Sequence, residues 1–336
     1  MSAVIHAPTS TAAQRPASHT ARASTIAPRP KRRIYLSHSS REMYTTCGRK
    51  YRFAHVDRLR SDHESANLGF GKAVHRACEV FLHHQAVGEH IADPIAEFER
   101  CWSESCQQQV VEFSSLWDFD KMLATGRVLV QRFMDDWVAQ GLTVILDRDG
   151  KPVLERKLRV QLPDNVIYTG ILDVLAMTKD YRVGVIDIKT PGVKGFDGFS
   201  LMSEQLLGQQ VLVDAHAEQL GIDRVDVRAF YNLLKVPIPK GKGEGPRVQP
   251  LHPVARASDQ DIADWIDETV AIANDIRAGR FPKRPGDAFN SPCAMCVGQY
   301  FGACSAGDFT GLTRKEAFNY ADVRAVATSG TGSQPF

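Results

Sequence analysis

Three residues near the middle of the chain have the types and spacing for metal-dependent phosphate chemistry. Asp173, Asp187 and Lys189 form the pattern D-x13-D-x-K. Two carboxylates that converge on one point repel each other unless a divalent cation lies between them, and oxygen ligands favour Mg²⁺ or Mn²⁺. The lysine could hold the attacking water or neutralise charge that builds up on a phosphate under attack. The pattern therefore predicts a hydrolytic site.

The commoner use of a lone D-x-K on a strand is an inter-strand salt bridge, and this alternative stands beside the catalytic one. A site is favoured by the apolar framing of both acids, in GILDVL and GVIDIKT. Charged groups among apolar neighbours need a partner or a metal, because burying them alone is costly. Residues i and i+2 of a strand share a face, so we expect Asp187 and Lys189 to project together.

The elements that must position these residues follow from the periodicity of the chain. Residues before about 145 are mostly helical, with helices over 69–84 and 117–139. Three consecutive strands are predicted over 153–162, 166–177 and 181–190. After them we predict a helix, a strand, an edge strand and a last helix, over 201–220, 225–236, 247–254 and 258–278.

The fold class is therefore α/β (α+β), with a helical part over about 33–145 and a core over about 150–280. In that core a mixed central sheet of βββαβ order is flanked by helices, and a cysteine-bearing segment follows over 281–304. Residues 1–32 are predicted to be a disordered basic arm, and 305–336 a mostly flexible tail.

The charge is asymmetric although the formal net charge is only +2. Residues 1–60 hold 12 of the 41 Lys and Arg, but of the acids only Glu42 and Asp57. A basic segment on an acidic body suits contact with nucleic-acid phosphates, and the alternative is a solvated tail. An organellar transit peptide has a similar composition, but four prolines before position 31 disfavour its helix. No apolar run is long enough to cross a membrane.

Seven cysteines argue for a metal or cluster site rather than a disulfide scaffold, because their number is odd and the chain is long. Cys293 and Cys296 form C-x2-C, Cys304 follows, and Cys47 lies far upstream. By spacing alone, Zn²⁺ and an iron–sulfur cluster both fit. The other three are interpreted as core or surface thiols, namely Cys78, Cys101 and Cys106.

Four motifs in order resemble the PD-(D/E)XK nuclease superfamily, in particular its RecB-like and CRISPR-adaptation-nuclease-like branch. The segment LSHSSREMYTTCGRKYRFAHV is similar to the opening S-x-S…C-P-x-x-Y helix, with Gly48 where proline is usual. GKAVHRACE is similar to the G-x-x-x-H-x-x-x-E helix, and GILDVL with VIDIKT to the acid and D-x-K motifs. The resemblance spans about residues 35–304 and implies a restriction-endonuclease-like core.

The resemblance also implies residue roles. His75, Asp173, Asp187 and the backbone carbonyl of Ile188 would ligate the metal, with Lys189 catalytic. Gln209 would position nucleic acid, although Val213 stands where the family has tyrosine, and Gln205 and Gln210 compete for the match. A [4Fe–4S] cluster would be held, despite a longer last gap, by Cys47, Cys293, Cys296 and Cys304.

Residues around this site receive subsidiary predictions. Glu79 and Glu155 are candidates to orient His75 or the metal waters. Basic residues near the N-terminus are candidate phosphate contacts, namely Arg32, Arg33, Arg49, Lys50 and Arg52. Four aromatic residues between them stack on bases or, as the slightly favoured alternative, pack under the sheet: Tyr35, Tyr44, Tyr51 and Phe53.

The expected function is a Mg²⁺- or Mn²⁺-dependent deoxyribonuclease, exonuclease-like, acting on single strands or duplex ends. No P-loop pattern occurs, so a helicase or recombinase partner would open duplex DNA. Phage recombination, DNA repair and CRISPR adaptation are the open roles, and reduced cysteines suit a prokaryotic or phage-encoded cytoplasmic protein. The alternatives are a non-catalytic nucleic-acid-binding protein and a zinc-stabilised scaffold.

Overall fold

A computed structural model of the chain describes residues 31–108, 110–195, 198–287, 290–296 and 299–315. The predicted basic arm therefore lies outside the described residues except for its last two, and the tail beyond 315 lies outside them entirely. The described N-terminal part begins with β1 (Ile34–Leu36), α1 (His38–Thr46) and α2 (Gly48–Tyr51). Ser37 caps α1 in a capping box with Ser40, which fixes where this helix starts.

Helices dominate the next part of the chain, as the periodicity predicts. A single π-helical turn (Arg52–Val56) leads to β2 (Leu59–Ser61) and β3 (His63–Ser65). The elements after them are α3 (Ala66–Val87), α4 (Pro94–Gln108), β4 (Val110–Glu112) and α5 (Phe119–Gln140). Ser65 caps the start of α3 and Gly88 ends it in the left-handed conformation.

The predicted βββαβ order is confirmed in the second half of the chain. After β5 (Thr143–Val144) come β6 (Leu154–Leu162), β7 (Val166–Met177), β8 (Val183–Lys189), α6 (Glu204–Asp214), α7 (Ala217–Leu220) and β9 (Val227–Leu234). The helix predicted over 201–220 is thus divided into two at Ala215–His216.

The predicted edge strand over 247–254 is wrong as a single strand. It forms two short strands, β10 (Arg247–Val248) and β11 (Val254–Ala255), which pair with opposite ends of β9. Pro250 and Pro253 lie between them. Proline cannot donate to a strand ladder, so the stretch cannot pair along its whole length.

The last elements return to the N-terminal part. They are α8 (Asp259–Arg277), a 3₁₀ turn (Pro292–Cys296), α9 (Phe301–Ser305) and β12 (Leu312–Arg314). Strand β12 pairs antiparallel with β2, so the described beginning of the predicted tail takes part in a small sheet.

A mixed sheet organises the described fold, with β7 and β8 at its centre. The order is β1-β7-β8-β9-β10, and β5 and β6 also pair with β7. The pair β6–β7 and the pair β7–β8 are antiparallel, whereas β8–β9 is parallel. The sheet and its helices confirm the predicted α/β class with a restriction-endonuclease-like core.

Helices pack on both faces of this sheet. One buried cluster joins the sheet to α6 and α8 and includes Tyr168, Leu212, Trp265 and Ile276. The other joins it to α3, α4 and α5 and includes Phe70, Trp102, Phe133, Ile188 and Tyr231. Strand β8 therefore lies between the two clusters. In the described part of the chain, no helix has both the length and the hydropathy that a bilayer crossing requires.

Candidate active site

Asp187 and Lys189 project together from the C-terminal end of strand β8, as the two-residue spacing predicts. The Lys189 Nζ atom lies 2.8 Å from Oδ2 of Asp187. The aspartate is 1% exposed, whereas the lysine side chain is 40% exposed. The carboxylate is thus fixed in the core, and the ammonium group reaches into solvent where a substrate can meet it.

Helix α6 supplies two side-chain amides to the same carboxylate. Gln205 Nε2 and Gln209 Nε2 donate to Oδ1 of Asp187 over 2.6 Å and 2.8 Å. They are four residues apart and so share one helix face. Gln210 instead binds the backbone of Ala257, with its Oε1 accepting from the amide over 2.8 Å. Among the three competing glutamines, two therefore contact the site and one holds a loop.

Close packing lets α6 approach the sheet closely enough for its two glutamines to reach Asp187. A Cβ atom on Gly208 would lie 2.3 Å from the hydroxyl of Tyr168, so no side chain fits between helix and strand. Val213, which stands where the resemblance expects tyrosine, is fully buried in the core. The N-terminal end of α6 is also fixed, because buried Arg41 of α1 pairs with Glu204 and, over 2.6 Å, with Glu268.

Asp173 lies on β7 where its pairing with β8 ends. The backbone N–H of Ile188 donates to Asp173 Oδ2 over 2.8 Å, which joins the two acidic strands at the site. Burial, aided by the nearby Asp187 carboxylate and opposed by the charge of His75, raises the pKa of Asp173 to about 7. A carboxyl group this disfavoured as an anion is suited to a cation partner.

His75 on α3 and Glu155 on β6 complete a cluster with Asp173. His75 Nδ1 lies 3.6 Å from Asp173 Oδ2 and 3.7 Å from Glu155 Oε1. Ligand atoms of the three residues all lie within 4.8 Å of one another. Burial alone would lower the pKa of His75, but Glu155, Asp173 and Asp187 together raise it. The residues of the cluster come from three different elements, so only the folded chain brings them together.

The backbone at Glu155 is unusual. Its φ is 43°, in the left-handed region that non-glycine residues seldom adopt. The residue lies between the paired positions Leu154–Val174 and Arg156–Leu172, opposite Asp173. Such strain persists where the surrounding structure enforces it, often at functional sites.

The donor set fits a hard divalent cation. It offers carboxylate oxygens and one imidazole nitrogen, which suit Mg²⁺ or Mn²⁺. Within the described residues, Oε1 of Gln209 is buried with no hydrogen-bond partner, and Oδ2 of Asp187 has only the Lys189 ammonium group beside it, at 2.8 Å. A buried oxygen left in this way is the kind of atom that a cation or its water satisfies. The part predicted for the Ile188 carbonyl stays a prediction.

A cavity of about 560 Å³ opens beside this cluster. It is lined by His75, Glu155, Lys189 and Thr190 together with the outer face of α3. Glu79 also borders it, but its carboxylate pairs with Arg76 Nη1 over 2.8 Å. Glu79 is therefore engaged with its own helix, and Glu155 rather than Glu79 contacts His75.

The four predicted cluster cysteines line one cavity of about 600 Å³. Cys47 comes from the junction of α1 and α2, and Cys293, Cys296 and Cys304 from the C-terminal segment. Burial raises the pKa of Cys296, and the other three cysteines lie near enough to raise it further. Buried Cys78, and Cys101 and Cys106 on α4, are apart from this cavity.

Backbone contacts bring these distant segments together. Arg49 donates its backbone N–H to the carbonyl of Pro282, and Lys283 Nζ donates to the carbonyl of Cys304 over 2.8 Å. A Cβ atom on Gly48 would lie 2.7 Å from the Pro282 ring, so this approach requires glycine where the resemblance expects proline. Arg284 binds the last carbonyls of α1, at Thr45 and Thr46.

The basic and aromatic residues near the N-terminus divide into several groups. Arg49 and Lys50 line the cysteine cavity, whereas Arg52 pairs with Asp57 over 3.3 Å. Arg33 donates to Asn165, and the backbone carbonyl of Arg32 accepts from Arg277. Tyr44, Tyr51 and Phe53 are buried, which supports packing, while Tyr35 is 60% exposed.

Sequence reasoning missed two features of the site. It ranked Glu155 as an outer residue and gave no place to His38. Burial lowers the pKa of His38, with Glu42 opposing, and both Lys189 and Asp187 are close enough to affect it. The signal for Glu155 was its position on the strand next to Asp173, but its left-handed backbone has no sequence signature.

Of the comparisons with known proteins, the family model identifies the superfamily to which the chain belongs. No curated protein matches the chain. Among solved structures, one that matches is titled "Crystal structure of SSO0001". The matched region spans 73% of this chain and 86% of that chain, at 10% sequence identity and a TM-score of 0.29. The family model for the PD-(D/E)XK nuclease superfamily matches residues 35–301, which include every residue of the cluster and the D-x-K strand. The chain therefore belongs to the PD-(D/E)XK nuclease superfamily.

Proposed function

We propose that the chain is a Mg²⁺- or Mn²⁺-dependent deoxyribonuclease that acts in an exonuclease-like manner. The observation that carries this proposal is the cluster of His75, Glu155 and Asp173, with ligand atoms within 4.8 Å of one another, beside the Asp187–Lys189 pair. A structural salt bridge between Asp187 and Lys189 would need none of the other three residues. Their convergence therefore favours the catalytic alternative over the structural one.

The residues divide the work of hydrolysis. His75, Glu155 and Asp173 would hold the cation with Asp187, and a bound divalent cation polarises the scissile phosphate and makes water more acidic. Lys189 projects its ammonium group toward solvent, where it orients the attacking water or offsets negative charge on the phosphate. Gln205 and Gln209 keep the Asp187 carboxylate facing the site. The apolar strand around these groups limits competing water and strengthens their electrostatic effect.

A paired nuclease assay tests this function. Labelled DNA is incubated with wild type and with Lys189→Ala, each with Mg²⁺ or Mn²⁺ and with a chelator. We expect metal-dependent hydrolysis by wild type and a rate about 10²–10³-fold lower for the variant, because a charge-stabilising donor is lost. If wild type and variant degrade DNA equally slowly, the chain is a non-catalytic nucleic-acid-binding protein.

End dependence tests the exonuclease-like part of the proposal. Wild type should degrade linear single strands and duplexes from their ends and leave covalently closed circles intact. Cleavage of circles at a comparable rate would make the enzyme an endonuclease. Because the described chain offers no P-loop, a helicase or recombinase partner would supply strand opening in repair or recombination, in a prokaryotic or phage-encoded setting.

We also propose a structural [4Fe–4S] cluster on Cys47, Cys293, Cys296 and Cys304. All four residues line one cavity, which supports their acting together as one set of ligands. Four thiolates suit an iron–sulfur cluster and tetrahedral Zn²⁺ alike, and the resemblance to nucleases that hold a cluster with one early and three late cysteines favours the cluster.

Anaerobic purification separates the cluster from zinc. A brown protein with iron and acid-labile sulfide supports the cluster. A colourless protein that contains stoichiometric zinc would replace it with the zinc-stabilised alternative. The nuclease proposal is independent of this result, because phosphodiester hydrolysis needs no redox chemistry.

A further inference from the structure

A buried lysine that the metal cluster does not use lies at the edge of the catalytic cavity. Lys235 follows β9 and is only 5% exposed. Its backbone N–H donates to the carbonyl of Pro191 over 2.8 Å, which joins it to the segment that leaves the D-x-K strand. Its ammonium group donates to Oδ1 of Asn67 on α3. Lys235 belongs to neither the D-x-K motif nor the metal cluster, so it has no assigned role.

Aromatic rings surround this ammonium group without neutralising it. Nζ of Lys235 lies 5.2 Å from the ring centroid of Phe70 and 5.4 Å from that of Trp117. Ring faces attract a cation but carry no net charge. Within the described residues the side chain has no carboxylate partner, and burial lowers its pKa. Burying a charge without a counter-charge is costly, so a bound anion would offset that cost.

Other cations on the cavity wall differ from Lys235 in this respect. Lys72 pairs with Glu64, and Arg76 with Glu79, each over 2.8 Å. Their charges are offset by carboxylates of the chain itself. Among these three cations of the described chain, Lys235 therefore has the charge that remains for a ligand.

The contact with Lys235 fixes which way the Asn67 amide faces. An ammonium group has only donors, so the atom that it meets must be the amide oxygen. The Nδ2 group of Asn67 then faces away from Lys235, and in the described part of the chain it has no hydrogen-bond partner. Asn67 is exposed and lines the cavity of about 560 Å³ beside the metal cluster. The pair therefore presents two N–H donors to this cavity, with a cation behind them.

Helix geometry separates Asn67 from the metal cluster by two turns. Asn67, Gly71 and His75 are four residues apart and line the cavity from one face of α3. Eight residues rise about 12 Å along a helix. Gly71 has no side chain, and a Cβ atom there would meet only Thr190 Oγ1, at 3.5 Å. The face is therefore open between its two ends, so one strand can contact both Asn67 and the metal cluster.

We propose that Asn67 and Lys235 bind a backbone phosphate of the nucleic-acid strand, distinct from the phosphate being cut. The proposal rests on the nuclease function and adds a second phosphate position to it. Asn67 donates to the phosphate, and Lys235 is a positioning residue that orients the amide and supplies positive charge. Phosphate contacts fix the register of a strand and carry no sequence information directly. The site therefore aligns the strand with the metal cluster whatever its bases.

Asn67→Asp separates phosphate binding from folding. The full-length protein, with Ca²⁺ replacing Mg²⁺, is titrated with a labelled single-stranded oligonucleotide. The new carboxylate should pair with Lys235 and raise the urea midpoint of unfolding, but it repels phosphate. We expect binding at least about 10-fold weaker, as for loss of a hydrogen bond to a charged group. Gln85→Glu adds the same charge near the other end of α3 and should bind like wild type.

Neutral methylphosphonate links locate the contact on the strand. They replace one phosphate at a time, and wild type should lose affinity about 10-fold at one position besides the scissile phosphate. In Asn67→Ala that position should have little further effect, because the partner of the phosphate is already gone. Lys235→Met keeps an apolar stem between the rings. It should lower the slope of log affinity against log salt by about 1, whereas a purely structural lysine would leave the slope unchanged.

Three results would overturn the phosphate site while wild type still cleaves DNA, which leaves the nuclease function standing. They are equal affinity of wild type and Asn67→Asp, the same methylphosphonate profile in wild type and Asn67→Ala, and an unchanged salt slope in a folded Lys235→Met. Failure of wild type both to bind and to cleave DNA would remove the nuclease function and the phosphate site together.

Discussion

Asp187 is fixed by more partners than the D-x-K pattern can indicate. Two amides bind one of its oxygens, and Lys189 lies beside the other. Asp173, Asp187 and Lys189 could be predicted from the sequence as site residues, because the strand period and the apolar framing are local signals. Sequence reasoning assigned Gln209 but left Gln205 and Gln210 as competing assignments, because which glutamines face the sheet depends on how α6 rotates against it. Glu155 was predicted only as a residue that orients His75 or the metal waters, since its backbone conformation is set by tertiary contacts.

At this scale, Gln205→Ala is expected to lower the rate of DNA hydrolysis about 10–100-fold, as loss of an outer partner does at other metal sites. The reason is that Asp187 loses a 2.6 Å hydrogen bond and one constraint on its orientation. Steady-state hydrolysis at saturating Mn²⁺ measures the effect. Gln260→Ala, an exposed glutamine on α8, is the control. An unchanged rate for Gln205→Ala would show that Gln209 alone fixes the carboxylate.

Helix α6 depends on a glycine to reach the sheet. Gly208→Ala places a methyl group against the buried Tyr168 hydroxyl and Trp265 ring. Overpacking of this kind costs about 1–3 kcal/mol, which outweighs a gain of about 1 kcal/mol in helix propensity. We expect the free energy of unfolding in urea to fall accordingly. In contrast, Gly71→Ala on α3 meets only Thr190 Oγ1 at 3.5 Å and should be neutral or stabilising. Equal effects of the two changes would contradict the close packing.

Helices α3 and α4 are joined by a charge cluster with a defined pH dependence. Hydrogen bonds from Arg100, and then from Arg76, lower the pKa of Glu97 to about 2. A carboxyl group with a depressed folded pKa stabilises above its unfolded pKa, and this stability is lost as the pH falls toward about 2. Because the arginines are half-exposed, we expect Glu97→Gln to cost only about 1–2 kcal/mol at pH 7.

Urea unfolding at pH 7 and pH 3 checks this expectation. The difference between wild type and Glu97→Gln should be smaller at pH 3, because part of the wild-type protein's advantage is then lost. Glu99→Gln, which removes a more exposed pair with Arg127, should change stability by less than about 0.5 kcal/mol. A pH-independent difference for Glu97→Gln would mean that packing rather than charge explains it.

The elements themselves were largely predictable. The strands over 153–190 have strong alternation and clear turns, and capping residues mark α1 and α8. Strand β1 was not predicted, because its three residues pair in parallel with distant β7 and have no local signature. The division of the stretch 247–254 into two strands likewise depends on β9, although its prolines gave a hint.

On the scale of the whole molecule, the two ends of the described chain meet around the cysteine cavity. If the proposed cluster is present, Cys304→Ser is expected to lose its visible absorption and to expose the C-terminal segment to limited proteolysis, because binding energy at such a site is folding energy. Cys106→Ser, on α4, should change neither. The spacing of the cysteines predicted that they act together, but not the contacts of Lys283 and Arg284 that close the cavity. If Cys304→Ser kept the absorption, a residue other than Cys304 would have to be the fourth ligand.

The metal dependence of hydrolysis in two carboxylate variants tests the central claim most directly. Glu155 belongs to the cluster with His75 and Asp173, whereas Glu79 borders the same cavity but pairs with Arg76. Rates of DNA hydrolysis measured against Mn²⁺ concentration should show that Glu155→Gln needs at least about 10–100-fold more metal than wild type. Glu79→Gln should follow the wild-type curve. Identical curves for all three proteins, or hydrolysis by wild type that continues without a divalent metal, would contradict the account.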